Sequence, residues 1–245
     1  VTDLAVIMGG TGALGTAVVD AFATRGDRVI AVARSRAEVS QLAAKYPLSP
    51  SPSGGGQGGG VTGDTADLTS RVEVDELWER IDRVGIPRWI VNVAGGFRAG
   101  KVVDSTPDDF TFMMDLNLGT AWWSCRAAAR RMSGRGGGVQ GGGCIVNVSS
   151  RSALVAEPGA AAYAIAKAGV IKLTEVLAAE LKASGVRVNA VVPAIIDTPA
   201  NRKSLPEKLI EKAVAPSEIA AVIADLCSDA AQAVTGSAIP VYGKF

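Results

Sequence analysis

"LAVIMGGTGALGTAVVDAFATRGDRVIAVARSR" (residues 4–36) begins with five apolar residues, breaks at a cluster of glycines and resumes as a helical pattern. It then ends in a second apolar, valine-rich run. Both "LAVIM" and "VIAVA" are continuous short apolar runs, as strands buried on two faces should be. The helical stretch Ala13–Arg25 between them supplies the crossover that two parallel strands need. Glycines 9, 12 and 15 stand where the first strand hands over to the helix. A turn of this kind lets backbone N–H groups and a helix N-terminus face a pyrophosphate, so the segment implies a dinucleotide site.

The second strand ends in Arg34, Ser35 and Arg36. An acidic side chain there would bind the ribose hydroxyls of NAD, and none is present. An arginine can instead pair with a 2′-phosphate through charge-assisted bonds. NADP(H) is therefore expected as the preferred cofactor, with NAD(H) as the alternative.

Working outward, the same alternation continues. Strands are expected at Leu4–Met8, Arg28–Ala33, Val61–Gly63, Trp89–Val93, Cys144–Ser149, Val186–Val192 and Ala238–Tyr242. Helices are expected at Ala13–Arg25, Ala37–Tyr46, Ser70–Val84, Asp108–Met132, Ala160–Ala183 and Ser217–Cys227. This order predicts an α/β protein, a doubly wound three-layer Rossmann fold around a seven-stranded parallel sheet. No shift of composition divides the 245 residues, so one domain is expected. Two glycine-rich segments, 47–60 and 133–143, read as mobile surface loops joining a helix to the next strand.

Composition removes several chemistries. The chain has 25 basic against 24 acidic residues, which argues against a nucleic-acid partner. It has no histidine and no cysteine pair at ligand spacing, so neither a metal site nor a Ser-His or Cys-His couple is expected. No apolar run reaches the roughly 18 residues of a membrane span. The segment "VTDLAVIMGG" reads as a strand entering a turn, not as a secretory signal. Three widely spaced cysteines suit reduced thiols, which points to the cytoplasm. Acid–base work must then fall to another residue type. Tyr163 and Lys167, four apart in the alanine-rich run "GAAAYAIAKAGV", project from one helix face.

These features, taken in order, resemble the short-chain dehydrogenase/reductase family in its compact branch of about 250 residues. The resemblance rests on the glycine turn, Asp67-Leu68, "NVAG" (92–95), Asn117 in "DLNLGTAW", "IVNVSS" (145–150), Tyr163-x-x-x-Lys167, "RVNAVVPAIIDT" (187–198) and "VTGSAIPVYG". Ser150 falls thirteen residues before Tyr163, as that pattern requires. The resemblance implies a catalytic set of Tyr163, Lys167, Ser150 and Asn117. Tyr163 would transfer the substrate proton, and Lys167 would hold the nicotinamide ribose and depress the tyrosine pKa. Ser150 would bond the substrate oxygen, and Asn117 would hold a relay water.

It also implies cofactor contacts. Gly9, Gly12, Ala13, Leu14 and Gly15 would face the pyrophosphate, with Arg34 and Ser35 at the adenosine phosphate. Asp67 and Leu68 would flank the adenine; Asn92, Ala94 and Gly95 would lie along the ribose. Pro193, Ile196 and Thr198 would grip the carboxamide. The implied reaction interconverts a ketone and a secondary alcohol as a small-molecule substrate. Reduction of a quinonoid dihydropteridine and non-catalytic NADP sensing are the alternatives. A homo-oligomer is expected, a tetramer first and a dimer second, through outer helix faces carrying Trp122 and Trp123. Two departures from the family pattern, Met8 and Val93, lie at adjacent strand ends, where an apolar contact between them is expected. The segment 198–216, a short lid, implies either an open site or a small substrate of modest affinity. Arg98, Arg151 and Arg202, near the predicted site loops, read as surface charges, with binding of an acidic substrate the alternative.

Overall fold

Alternate residues of the first strand, β1 (Leu4–Met8), enter opposite layers, and all five are buried. Leu4, Val6 and Met8 join an apolar cluster with Trp78 and Leu77, whereas Ala5 and Ile7 join another with Val18, Val19 and Phe22. A strand apolar at every position has nothing to show water, so it must lie between two helical layers. The computed structural model, which describes residues 2–49, 58–134 and 142–245, has this arrangement.

The other strands are β2 (Arg28–Ala33), β3 (Gly60–Thr65), β4 (Trp89–Asn92), β5 (Gly143–Val148), β6 (Val186–Pro193) and β7 (Ala238–Val241). They form one sheet in the order β3-β2-β1-β4-β5-β6-β7, with every pairing parallel. The helices are α1 (Ala13–Arg25), α2 (Arg36–Ala44), α3 (Arg71–Asp82), α4 (Pro107–Met114), α5 (Thr120–Met132) and α6 (Ala161–Leu181). Short α7 (Pro199–Ser204) and α8 (Glu207–Ile210) precede α9 (Pro216–Leu226). Buried residues of α1, α2 and α9 line one face of the sheet, and those of α3, α5 and α6 the other. The doubly wound Rossmann fold and its seven-stranded parallel sheet are as the sequence predicts.

Several details differ from the expectation: most element bounds shift by one or two residues, and the short α7 and α8 lie in the segment read as a lid. The single helix over Asp108–Met132 starts one residue earlier, at Pro107, behind a Thr106–Asp109 capping box. It widens to a π turn at Asp115–Gly119, between α4 and α5. In addition, Met8 and Val93 do not share a contact surface. The Met8 carbonyl accepts the Val93 N–H at 2.9 Å, but the two side chains belong to opposite apolar clusters. The pleat explains this: Met8 pairs in register with Asn92, so Val93 is one step out of phase. The loop expectations at 47–60 and 133–143 fall largely on residues 50–57 and 135–141, outside the described residues.

The chain leaves β1 toward β2 on one side, and β4 lies on the other. Strand order reverses at that point, which opens a crevice at the carboxyl ends of the strands.

Candidate active site

The crevice is a cleft of about 500 Å³, and the glycine turn forms its floor. Gly9 has φ +92°, and a Cβ on it would stand 2.7 Å from the Ala94 nitrogen. A Cβ on Gly15 would stand 2.0 Å from the Gly9 carbonyl oxygen. Neither position admits a side chain. Gly12 caps α1 without a side-chain hydrogen bond, so the helix presents bare N–H groups to the cleft. A cradle this close, positive in field and free of side chains, fits a pyrophosphate.

Most residues assigned to the cofactor by resemblance border the cleft: the turn residues 9 and 12–15, Arg34, Ser35, Asp67, Leu68, Ala94, Gly95, Ile196 and Thr198. Arg34 is exposed at the rim and, among the described residues, has no ion-pair partner. Arg36 turns away, donating to the Thr65 hydroxyl. Asp67 closes a turn by accepting from the Thr69 hydroxyl and N–H. Those bonds, helped by Arg34, hold its carboxyl below the usual range against a smaller effect of burial.

The side chains of Asn92 and Pro193 are not among those lining the cleft. Asn92, expected along the ribose, turns its amide into the core, donating to Asn147 Oδ1 at 2.8 Å and to the Cys125 sulfur. It sits in register with Met8, and that phase of β4 faces the helices, not the crevice. Pro193 ends β6 beside Val241 and does not line the cleft.

β5 and α6 bring the reacting groups together. Lys167 is buried, and its Nζ donates to the Val148 carbonyl at 2.9 Å. Its ammonium is pulled down to about 8 by burial. The same Nζ lies 5.8 Å from the centre of the Tyr163 ring. The Ser149 hydroxyl donates to the Lys167 carbonyl at 2.8 Å, tying the strand end to the helix. Tyr163 is half-buried. Burial raises its phenol above the usual value, the neighbouring Ser150 side chain opposes this, and the Glu157 carboxylate adds to the rise. Loss of water outweighs the effect of Ser150, and the lysine gives its own hydrogen bond to Val148.

Asn117 lies in the π turn, where its amide donates to the Met113 carbonyl at 3.1 Å. The same side chain grips Gly96 on both sides: Oδ1 accepts its N–H at 3.1 Å and Nδ2 donates to its carbonyl at 2.9 Å. Gly95 passes between Asn117 and Lys167. A Cβ there would fall 2.8 Å from Asn117 Oδ1 and 3.1 Å from Lys167 Nζ.

The three border arginines are all engaged. Arg98 pairs with Asp109, Arg151 with Glu157 and Arg202 with Asp197. Across the lid segment, Ile196 bridges to Val214, and Thr198 caps α7 by accepting the Asn201 N–H at 3.1 Å. Sequence reasoning missed Glu38, Phe97 and Glu157. Glu38 accepts the Thr11 hydroxyl at 2.9 Å at the cleft rim. Its only sequence signal was its place in the first turn of a helix, where carboxylates are ordinary.

Comparison with known proteins agrees with this geometry. The family described as short chain dehydrogenase matches residues 3–209. D-threitol dehydrogenase of Mycolicibacterium smegmatis is 32% identical, over 99% of this chain and 92% of its own length. Galactitol 2-dehydrogenase of Rhizobium johnstonii is 33% identical, over 99% and 95%. The 3-oxoacyl-[acyl-carrier-protein] reductase of Thermotoga maritima is 32% identical, over 97% and 95%. A solved short chain dehydrogenase/reductase family protein superposes with a TM-score of 0.84 at 30% identity, over 98% of this chain and 96% of its own. The chain belongs to the short-chain dehydrogenase/reductase family, oxidoreductases that use NAD(P)(H).

Proposed function

We propose that this protein is an NADP(H)-dependent oxidoreductase that interconverts a ketone and a secondary alcohol through Tyr163, Lys167, Ser150 and Asn117. The observation that carries the reading is Lys167 buried 5.8 Å from the Tyr163 ring centre, beside a cleft floored by bare helix N–H groups. The nicotinamide supplies or takes the hydride. Tyr163 gives its proton to the carbonyl oxygen in reduction and takes it back in oxidation. Ser150 shares the hydrogen bond with that oxygen and so stabilises charge developing on it. A phenol held above its ordinary pKa is protonated at neutral pH, which suits it as the acid in reduction. A cationic nicotinamide ring in the oxidised complex would favour the phenolate for the reverse step.

Arg34 at the rim, unpaired among the described residues, supports the phosphate-bearing cofactor. Two relatives are named for polyols, D-threitol and galactitol, and a secondary alcohol within such a chain belongs to the proposed substrate class. The protein acts as a single domain in the cytoplasm and assembles as a homotetramer. Phe110, Trp122, Ile165 and Val176, all exposed on α4, α5 and α6, support that assembly. Trp123 is not part of that surface, because it packs on the core. No helix of the described residues is long and apolar enough to cross a membrane.

The test is oxidation of NADPH and NADH, followed at the nicotinamide absorbance, against ketones and 1,2-diketones, with polyols for the reverse reaction. Turnover that disappears in Tyr163→Phe while NADPH still binds supports the reading. Full activity in that variant overturns it. Sedimentation of only a single 25.0 kDa chain would remove the tetramer.

A further inference from the structure

Phe97 follows the loop from β4, and its ring meets the Tyr163 ring edge-on, with 5.2 Å between centres and 89° between planes. It is nevertheless 62% exposed. Its backbone is fixed on both sides. Asn117 holds the N–H and carbonyl of Gly96 just before it. Just after it, Arg98 bonds Asp109 at 2.9 Å and lies over the Phe112 ring at 4.2 Å. Three residues on, Gly100 donates its N–H to the Gly159 carbonyl at 2.8 Å, next to the start of α6. Gly95 and Gly96 let the loop come this close: a Cβ on Gly96 would stand 2.9 Å from Leu116.

A phenyl ring left open to water on an anchored loop contributes little to the core. Against the reacting phenol, it is instead a ready apolar wall. Its neighbour Arg98, and Arg151 near the phenol, are each held by a carboxylate, so neither adds a free cation to this wall. We propose that Phe97 is a specificity-determining residue, against which the larger substituent of an uncharged ketone or secondary alcohol packs while its oxygen meets Tyr163. The proposal rests on the ketone–alcohol reading above and adds which part of the substrate the protein selects. Small pockets of this kind discriminate by roughly 10- to 200-fold for modest changes in apolar contact.

The experiment compares acetophenone, acetone and the anion benzoylformate with the full-length enzyme and its Phe97→Ala and Phe97→Leu variants. Tm and NADPH dissociation constants are measured for each. In the wild-type enzyme, acetophenone should outperform both acetone and benzoylformate in kcat/KM. Phe97→Ala should lower kcat/KM for acetophenone by about tenfold, mostly through KM. Phe97→Leu, which keeps apolar bulk, should recover part of that loss. Acetone turnover should fall clearly less than acetophenone turnover, and NADPH affinity and Tm should change by less than about twofold or a few degrees. Equal losses on acetophenone and acetone, no loss on either, or preference for benzoylformate would overturn the assignment of Phe97. Wild-type enzyme that turns over no ketone and no alcohol with either coenzyme would instead overturn the ketone–alcohol reading, and this inference with it.

Discussion

Lys167 is bonded to Val148, not to Tyr163: its Nζ donates to the Val148 carbonyl at 2.9 Å in a place shut off from water. Burial brings the ammonium down from 10.5 to about 8. Between those two values the unfolded chain holds the proton and the folded chain does not, so this group makes stability rise with pH there. Below about 8 both states are protonated, and the full cost of the buried charge is present. Replacing Lys167 by methionine should therefore raise Tm at pH 7 by about 2–4 °C while abolishing turnover. The gain should shrink as pH climbs from about 8 toward 10.5. Thermal melts across that range decide it. A gain that is absent at pH 7, or that does not vary with pH, would show that the lysine is not held against its charge.

Gly95 tests the space between the lysine and Asn117. Its φ lies outside the left-handed region, so alanine brings no backbone strain there. The added methyl would meet Asn117 Oδ1 at 2.8 Å and Lys167 Nζ at 3.1 Å. Displacing either group by a fraction of an ångström misplaces the proton-handling set. Gly95→Ala should lower kcat on the order of 10²-fold. Steady-state kinetics beside a thermal melt separate this from unfolding, because Tm should fall far less than activity.

Arg34 and Glu38 make opposite claims on the adenosine end of the cleft. The arginine is free to meet a 2′-phosphate; the carboxylate, bonded to Thr11, would repel one. Arg34→Ala should weaken NADPH binding by roughly 10- to 100-fold and leave NADH nearly unchanged, the loss of one charge-assisted contact. Glu38→Gln should strengthen NADPH binding by a smaller factor. Titration of coenzyme fluorescence reads both directly, without turnover.

Periodicity and order carried most of this architecture. Continuous apolar strands such as Leu4–Met8 could only lie between two helical layers, and the glycines between strand and helix pointed to a tight turn, where Gly9 and Gly15 have no room for side chains. What stayed illegible depends on phase and on distant partners. Nothing local tells that Asn92 faces Asn147 while Val93 faces the other layer; a one-residue step in β4 decides it. The π turn at Asp115–Gly119 replaces one ladder bond by the side chain of Asn117, a choice made by tertiary contacts with Gly96. Phe97 and Glu157 carry no motif. Each gained its place only when loops from β4 and β5 met at Tyr163.

Asn147 joins three elements in the core below the site. It is fully buried, accepts from Asn92 Nδ2 at 2.8 Å and donates to the Thr174 hydroxyl on α6 at 2.9 Å. Asn92 Oδ1 already lacks a donor among the described residues, so the network carries one unsatisfied buried acceptor before any substitution. Asn147→Ala leaves the Asn92 amide with only the Cys125 sulfur, a weak acceptor, and opens a cavity beside β5. The expected loss is about 2–4 kcal/mol, read as a lower urea midpoint with an unchanged slope. Replacing both asparagines by leucine removes donor and acceptor together and keeps the branched shape, at the cost of some added bulk. The double variant should be less destabilised than the sum of the two single leucine variants, since a buried pair of polar groups is costly mainly when one is left alone. Strict additivity of the two leucine substitutions would mean that Asn92 and Asn147 stabilise β4 and β5 separately, and that their mutual bond contributes nothing.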